Sequence, residues 1–337
     1  MRAQFRGGTD RGAGIDFHAH LAPQLSSGRL GGFDLVEKDG LYVIDGRAVG
    51  PRALYEPSSL VHYLETTRLS AALVSPSPPF FRQGLDAILC AQWVRALNYG
   101  IIKAAQADER LRPLVYLPLE HPTVALEEFM FFREDPSTIG WVASSGGRSV
   151  SMDSPELDDL WSGLDSASSW VFLHPGTSPD PRLNRLYLSN TIGNPFESAL
   201  AVGELIFGDV LFKHPSIRFL IAHCGGAFPA LIGRWQRAFD VGRPGATDCH
   251  IEPASAARHF YVDTVAHSFA SMTLALSIVG RDRLVLGSDW PYPMGVGNPL
   301  EEISMLPRAD SNRVLVENAH ALIAINGNAL NRFGTNK

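Results

Sequence analysis

Eight short runs of apolar and β-branched residues recur along the 337-residue chain, and stretches with helical periodicity separate them. This alternation predicts parallel strands joined by crossover helices. With eight repeats in a chain of this length, we expect a closed (β/α)₈ barrel, the TIM barrel. An open doubly wound sheet is the alternative, but no Gly-x-Gly-x-x-Gly turn follows the first strand. The predicted strands span 14–18, 71–75, 112–117, 139–144, 170–174, 218–223, 259–263 and 283–289. The predicted helices include 57–68, 87–107, 154–166, 195–209, 269–279 and a closing helix at 311–325, with Gly327 just past its end.

One insertion, from about residue 21 to 56, interrupts this alternation after the first strand. It is far longer than the usual βα loop of roughly 2–6 residues. Within it, residues 33–37 and 41–44 flank Asp39-Gly40, a pair that predicts a small β-hairpin. A loop that leaves the C-terminal end of a barrel strand lies over the active-site face. We therefore expect a lid or pocket wall, with an ordinary surface loop as the alternative, within a single barrel domain spanning 1–337.

The composition restricts the partners and the compartment. Apolar residues make up 45% of the chain and charged residues 19%, which is typical of a compact globular protein. The net charge is −6 and no Lys/Arg-rich run is present, so we do not expect nucleic-acid binding. No apolar stretch is long enough for a membrane span, and residues 1–14 are polar and glycine-rich and lack the apolar region of a signal peptide. The three cysteines, Cys90, Cys224 and Cys249, form no Cys-x-x-Cys pair, so we expect neither disulfides nor a cysteine zinc site, and a cytoplasmic location.

Histidine and aspartate residues at the ends of four predicted strands are candidate metal ligands. His18 and His20 end the first, His174 the fifth, His223 the sixth and Asp289 the eighth. The C-terminal ends of parallel barrel strands meet at one rim, so these side chains are expected to lie together. Imidazoles and a carboxylate are common ligands for zinc and similar divalent ions. Each residue alone has a simpler interpretation, such as a hydrogen-bonded rim histidine or a turn-capping aspartate. The coincidence at four strand ends favours a metal site.

These residues lie in motifs that resemble the amidohydrolase superfamily, and more narrowly its aminocarboxymuconate semialdehyde decarboxylase branch. The motifs are His18-Ala19-His20, His174-Pro175, His223-Cys224-Gly225-Gly226 and Gly287-Ser288-Asp289-Trp290-Pro291-Tyr292-Pro293. The resemblance implies that His18, His20, His174 and Asp289 bind one divalent metal ion, usually zinc and sometimes manganese. It implies that His223 is a catalytic residue outside the ligand set. Residues 140–145 on the fourth strand contain no lysine or glutamate, which dinuclear members need, so one metal ion is expected.

The same resemblance suggests substrate-binding residues and a homodimer. The branch uses an arginine from the first insertion, for which Arg47 and Arg52 are the candidates here. A second family arginine, which reaches the neighbouring subunit's site, is matched by Arg234. Asn190 occupies the place of a family tryptophan, and the sequence has His223-Cys224 where the branch usually has His-Gly. Tyr292 lies within the last motif and is a further candidate for substrate contact.

The function expected from these residues is non-oxidative decarboxylation of an aromatic or muconate-like carboxylic acid, in the breakdown of aromatic compounds. Loss of CO₂ leaves an electron pair on carbon, so the site must stabilise negative charge and deliver a proton. His223 and Asp289 are the candidates for proton transfer, and no organic cofactor is needed. A hydrolase or hydratase could use the same mononuclear site. A metal-binding barrel without catalysis is the third possibility, but it would be expected to have lost a site residue, and none is missing.

Overall fold

The computed structural model describes residues 14–25 and 33–324. Eight parallel strands form one sheet in the order β1-β5-β6-β7-β8-β9-β10-β11, and three short strands form a separate antiparallel sheet. In chain order the strands are β1 (Ile15–Leu21), β2 (Leu35–Lys38), β3 (Leu41–Ile44), β4 (Arg47–Ala48), β5 (Ala71–Pro76), β6 (Leu111–Leu117), β7 (Gly140–Ser144), β8 (Trp170–His174), β9 (Arg218–Ile221), β10 (Phe260–Asp263) and β11 (Leu284–Val285). The predicted TIM barrel is confirmed.

Hydrogen bonds between β1 and the segment that follows β11 close the barrel. The amide of Phe17 donates to the carbonyl of Leu286 at 2.8 Å, and the amide of Asp289 donates to the carbonyl of His18 at 2.7 Å. A parallel bridge also joins Ala19 to Trp290. The two ends of the sheet therefore meet beside His18 and Asp289, two of the predicted site residues.

Helices cover the outside of the barrel and separate its strands, as the alternation predicted. They are α1 (Pro57–Thr67), α2 (Ala87–Ala105), α3 (Pro122–Phe132), α4 (Asp158–Ser166), α5 (Asn194–Phe207), α6 (Val210–Lys213), α7 (Phe228–Asp240), α8 (Pro253–Ala256), α9 (Phe269–Val279), α10 (Pro299–Ser304), α11 (Arg308–Asn312) and α12 (Asn318–Ala324). The predicted closing helix is divided, because a π-helical turn at Arg313–Glu317 separates α11 from α12. Ile325 and Gly327 lie outside the described residues. None of the helices within 14–25 and 33–324 has the length and apolar character needed to cross a membrane.

Successive strand residues point alternately to the apolar layer under the helices and to the interior of the barrel. Side chains on the interior face can therefore form the site. On β8, Val171 and Leu173 belong to the layer between the barrel and its helices. Trp170 and Phe172 belong to the inner cluster, and His174 continues that inner face by the two-residue period of a strand. The ring of Phe172 packs against that of His18, with centroids 4.9 Å apart. The site residues therefore pack directly against the apolar core inside the barrel.

The observed strand ends differ from the predicted ones. Strand β1 runs three residues past His18, whereas β9 ends before His223 and β11 ends before Asp289. Hydrogen bonds to side chains explain the early end of β11, because the amide of Gly287 donates to the hydroxyl of Thr264 at 3.0 Å and that of Ser288 donates to Asp16 at 3.1 Å. His223 and Asp289 therefore sit on turns directly after their strands.

The insertion folds into three strands rather than a simple hairpin. Asp39 and Gly40 both have positive φ, as the predicted Asp-Gly turn between β2 and β3 requires. Asp45 and Gly46 repeat this geometry and lead into β4, which the sequence analysis did not predict. A Cβ atom on Gly50 would lie 3.0 Å from the hydroxyl of Tyr292, so this end of the insertion contacts that pocket residue.

Candidate metal centre

The structure brings together five of the predicted site residues at the C-terminal end of the barrel. The rings of His18, His20, His174 and His223 are mutual neighbours, with centroid distances between 5.0 and 5.2 Å in every pair for which a ring contact is found. Asp289 lies among them and is 6% exposed. Side chains from four separate strands and turns thus converge on one point, as the barrel topology predicted.

Asp289 is the negative charge around which the histidines are arranged. Its carboxylate lies 3.1 Å from Nε2 of His20, 3.4 Å from Nε2 of His18 and 3.7 Å from Nε2 of His223. Burial alone would raise its pKa, but the positive charge and hydrogen bonding of the histidines outweigh burial and hold its pKa well below the usual value. The carboxylate is therefore ionised, and the cluster favours a cation at its centre.

The donor atoms fit a metal ion. The Nε2 atoms of His18 and His174 are buried and form no hydrogen bond within the described part of the chain. Ligand atoms of His18, His174, His223 and Asp289 all lie within 4.8 Å of one another. Buried imidazole nitrogens without partners are costly unless something binds them, and a divalent cation would do so.

His20 differs from the other histidines in having partners on both ring nitrogens. Its Nδ1 lies 3.0 Å from the hydroxyl of Ser75, and its Nε2 faces Asp289. Burial lowers the pKa of His20, so the neutral imidazole is favoured. If Nδ1 carries the proton and donates it to Ser75, Nε2 is free to act as a ligand. The structure thus leaves two possible fourth ligands, His20 and His223, and the predicted assignment of His20 stays a prediction.

Asp263, at the end of β10, supports the cluster from below, and the sequence analysis did not single it out. One oxygen of its carboxylate accepts from Nδ1 of His18 at 2.7 Å and from the amide of His223 at 3.0 Å. The other accepts from the amides of Cys224 and Val265, at 2.8 and 3.0 Å. Because Nδ1 of His18 faces this carboxylate, its Nε2 points into the cluster. The signal was present in the sequence, since Asp263 also ends a predicted strand.

The pKa of His18 reflects this environment. Burial lowers it, but the negative charges of Asp289 and Asp263 and the hydrogen bond to Asp263 outweigh burial and raise it to about 10. In the absence of another cation, the pocket therefore holds a proton on His18. The same negative field would favour a divalent ion in its place.

The turn after β9 holds His223 in a conformation that few residues adopt. His223 and Cys224 have φ of 54° and 56°, and Gly225 and Gly226 continue with positive φ. A Cβ atom at Gly226 would lie 2.7 Å from the carbonyl of Pro195, so glycine is required there. Left-handed backbone at non-glycine residues costs about 1–3 kcal/mol each and occurs often at functional sites. The hydrogen bonds that the His223 and Cys224 amides donate to the Asp263 carboxylate offset this cost.

A second buried carboxylate, Asp16, links β1 to the turn that carries Asp289. It accepts hydrogen bonds from the amides of His18 at 2.9 Å and Ser288 at 3.1 Å, and from the Ser288 hydroxyl. Burial raises its pKa to about 6, although these donors lower it in part. Asp16 therefore positions the backbone on both sides of the barrel seam.

Two of the five predicted substrate-binding residues line the pocket that opens from the cluster, and three do not. Asn190 lies on its wall, as does Tyr292, whose ring is 5.7 Å from that of His20. Arg47 and Arg52 are exposed on the insertion, and Arg52 donates to the carbonyl of Asp39 at 3.0 Å. The structure brings neither arginine into the site. The second Asp-Gly turn folds β4 back along β3, which leaves Arg47 exposed on that sheet. Arg234 is exposed on α7 and does not line the pocket of its own chain.

Another acid, the half-buried Glu120, follows β6 outside the cluster. Its Oε1 atom has no hydrogen-bond partner in the described chain, and its Oε2 lies 3.5 Å from the hydroxyl of Tyr116. Burial raises the pKa of Glu120 to about 7. Tyr116 stacks on Phe81, with centroids 4.4 Å apart, and Phe81 in turn contacts His174. Glu120 thus belongs to the packing behind the site.

Comparison with known proteins identifies the family. The model of the amidohydrolase family matches residues 15–325, so the chain belongs to that family. A 2-amino-3-carboxymuconate-6-semialdehyde decarboxylase of Dictyostelium discoideum is 25% identical over 284 residues, which is 81% of this chain and 78% of the relative. A γ-resorcylate decarboxylase of Rhodococcus jostii is 25% identical over 256 residues, 68% of this chain and 74% of that enzyme. The predicted resemblance is confirmed, and both relatives are decarboxylases of small carboxylic acids.

A solved structure shares the whole fold. The dihydroxybenzoic acid decarboxylase of Polaromonas sp. JS666, solved with manganese and the inhibitor 2-nitroresorcinol, superposes with a TM-score of 0.73 at 17% identity. The match covers 94% of this chain and 98% of that enzyme. At this identity the likeness establishes the barrel, in agreement with the eight-stranded sheet described above.

Proposed function

We propose that this chain is a metal-dependent decarboxylase that removes CO₂ from an aromatic or unsaturated carboxylic acid without oxidation. The observation that supports it most directly is the cluster of four histidines around Asp289, at the mouth of an open pocket. Its relatives named above are decarboxylases whose substrates are small carboxylic acids. No organic cofactor is required for this reaction.

One divalent ion fits the donor set. His18, His174 and Asp289 would hold it together with His20, the ligand that we favour, or His223. When bound, it supplies a Lewis acid that anchors an oxygen of the substrate and stabilises negative charge. We favour zinc because nitrogen ligands with one carboxylate suit it, and manganese is the alternative.

His223 is the residue that we assign to proton transfer. Its side chain is 19% exposed and faces the pocket, whereas His18 and His20 are fully buried. When the bond to CO₂ breaks, its electron pair remains on the substrate carbon and must take up a proton. His223 Nε2, 3.7 Å from Asp289, is placed to carry that proton between solvent and the substrate. The strained turn that holds His223 supports this role.

Two further features of the proposal rest on the sequence. We expect a homodimer in which Arg234, exposed on α7, lies near the partner's site. We also expect a cytoplasmic location, and the three free cysteines are consistent with a reducing compartment. The arginine clamp from Arg47 or Arg52 is not part of the proposal, because neither guanidinium lines the pocket.

A substrate panel tests the reaction. Hydroxylated benzoates and muconate-like acids are incubated with metal-loaded and metal-depleted protein, and CO₂ release and hydrolysis products are both measured. We expect metal-dependent CO₂ release, and none from His174→Ala. Hydrolysis or hydration without CO₂ would establish the alternative use of the same centre, and activity that survives metal removal would contradict both.

A further inference from the structure

Two adjoining hollows open from the metal centre. They share five lining residues, His223, Asp289, Asn190, Asn194 and Met294. The first, the proline lobe, has a volume of about 310 Å³ and is walled mainly by Pro78, Pro79, Pro175, Pro293, Tyr187 and Tyr292. The second, the helix lobe, has a volume of about 360 Å³ and is walled mainly by Pro229, Ala230, Val265, Ala266, Ser271 and Leu274. The reacting centre therefore lies where the two lobes meet.

The size of the lobes indicates a substrate larger than one ring. Pockets for drug-sized ligands have volumes of roughly 300–1,000 Å³, and each lobe alone reaches the lower end of this range. A single-ring acid bound at Asp289 and His223 would fill one lobe and leave the other to water. One wall of the helix lobe is aliphatic, from Val265, Ala266, Ala230 and Leu274, and the polar residues Thr191, His267 and Ser271 lie beside it. This chemistry suits an apolar group.

The charges of the lobes limit what the substrate can carry. Among the described residues that line either lobe there is no lysine or arginine, and Asp289 is the single carboxylate. The other polar groups are neutral hydroxyls and amides, such as Thr177, Ser189 and Asn190, together with imidazoles. A second carboxylate on the substrate would lose water without gaining a cation from the same chain, which is unfavourable.

We infer that the substrate is a monocarboxylic aromatic acid with an uncharged, apolar substituent that occupies the helix lobe. This inference rests on the proposed function for the position of the carboxylate, which lies at the metal centre. The ring then lies against the prolines and tyrosines of the proline lobe, and neutral ring hydroxyls meet the amides of Asn190 and Asn194. The substituent leads away past His223 towards Leu274.

Equilibrium binding to the metal-loaded protein tests this assignment independently of turnover. Calorimetry compares 2-hydroxybenzoate with derivatives that carry an alkyl chain of one to four carbons, and with the same chains ending in a carboxylate. Because the lobe is apolar but open to solvent, each methylene should tighten binding about two- to fourfold. The terminal carboxylate should weaken binding at least tenfold relative to the uncharged chain of equal length.

A variant of α9 with a matched control ties the effect to the helix lobe. Ser271 lines the lobe, whereas its neighbour Ala270 is exposed and does not. We expect Ser271→Phe to abolish the gain with chain length, with at least a tenfold loss for the longest chain and little change for 2-hydroxybenzoate. Ala270→Phe, a substitution on the same helix, should leave the series unchanged.

The outcomes separate this inference from the proposed function. Affinity that does not change with chain length, or that responds equally to Ser271→Phe and Ala270→Phe, would overturn the lobe assignment even if CO₂ is released. Tighter binding of the chain that ends in a carboxylate would also overturn the lobe assignment. If Arg234→Ala then removed that preference, a partner copy's arginine would be the cation that binds the second carboxylate. Chain-length dependence without any CO₂ release would instead support the lobe and contradict the proposed reaction.

Discussion

Asp263→Asn is a nearly isosteric change that tests whether a carboxylate beneath the cluster controls the metal centre. The four hydrogen bonds to Asp263 come from Nδ1 of His18 and from three backbone amides, so every partner is a donor. An asparagine offers one acceptor oxygen and one NH₂ group. Whichever way the amide is turned, its NH₂ faces two buried donors. His18 could relieve the conflict only by moving its proton to Nε2, the atom that points into the cluster.

The hydrogen-bond geometry sets the size of the effect. A hydrogen bond to a charged group contributes about 1.5–3 kcal/mol, so losing the two at one oxygen would cost about 3–6 kcal/mol if nothing relaxed. Loss of the outer partner of a ligating histidine typically weakens metal binding about 10–100-fold, or about 1.4–2.8 kcal/mol. We therefore expect a metal Kd raised 10–100-fold, with the remaining cost seen as a lower unfolding free energy of the metal-free protein.

The assay measures zinc and manganese affinity by competition with a chromophoric chelator, together with urea unfolding of the metal-free protein. Asp209→Asn is the matched control, because Asp209 also binds a histidine, with its carboxylate 2.6 Å from Nδ1 of His250. That histidine is 60% exposed and belongs to no cluster of metal-binding side chains found among the described residues. The control should leave metal affinity unchanged. Unchanged metal affinity in Asp263→Asn, with the protein folded, would refute the view that Asp263 orients His18 as a ligand.

Four further outcomes follow from the site and its surroundings. His174→Ala should lose the metal, whereas His223→Ala should keep it and lose turnover about 10²–10⁴-fold. If instead His223→Ala loses the metal and His20→Ala keeps it, His223 is the fourth ligand and His20 is not. Chelation should remove one ion per chain, abolish activity and lower the Tm, and two equivalents of bound metal would contradict a mononuclear site. Burial raises the pKa of Glu120 from 4.5 to about 7, so its contribution to stability is full below pH 4.5 and is lost as pH rises through 7. Glu120→Gln should therefore be more stable than the parent at pH 8, by up to about 3 kcal/mol, but not at pH 4. Urea unfolding measures this, and equal destabilisation of the variant at both pH values would contradict it. Sedimentation should show a dimer, and an active monomer would remove the role of Arg234 in a partner's site.

The barrel and its cluster could be predicted from the sequence because both depend on period and order. A strand that is buried on both faces shows as a short apolar run, and the residue that ends it must lie at the rim. This rule alone is enough to predict that His174 lies at the rim. The errors in the predicted strand ends did not affect the prediction of the cluster, because His223 and Asp289 reach it from turns that directly follow their strands.

The supporting shell could not be predicted in the same way. Whether Asp263 meets His18 depends on how far β10 is staggered against β1 across the barrel, and apolar runs do not encode that stagger. The link between His20 and Ser75 depends on the register of β1 with β5, which shifts between Asp16 and Ala19. These contacts are set by tertiary structure.

The insertion arginines do not line the pocket, and the turn that positions Arg47 is recognisable in the sequence. Asp45-Gly46 has the same turn chemistry as Asp39-Gly40, and it starts a third strand rather than a free loop. Pairing of β4 with β3 fixes Arg47 on the exposed sheet.

The same buried carboxylates that orient the cluster also hold the barrel closed, so the site and the fold are energetically coupled. Asp16 joins the His18 amide to Ser288, on the two sides of the seam between β1 and the segment after β11. Asp263 joins His18 to the strained turn at His223. Both carboxylates lie fully buried, and the pKa of Asp16 is raised to about 6, so their charges are tolerated only because the donors around them are fixed. A cation at the cluster would reduce the repulsion among these buried carboxylates and Asp289. Metal binding should therefore stabilise the seam of the barrel itself, beyond the ligating side chains.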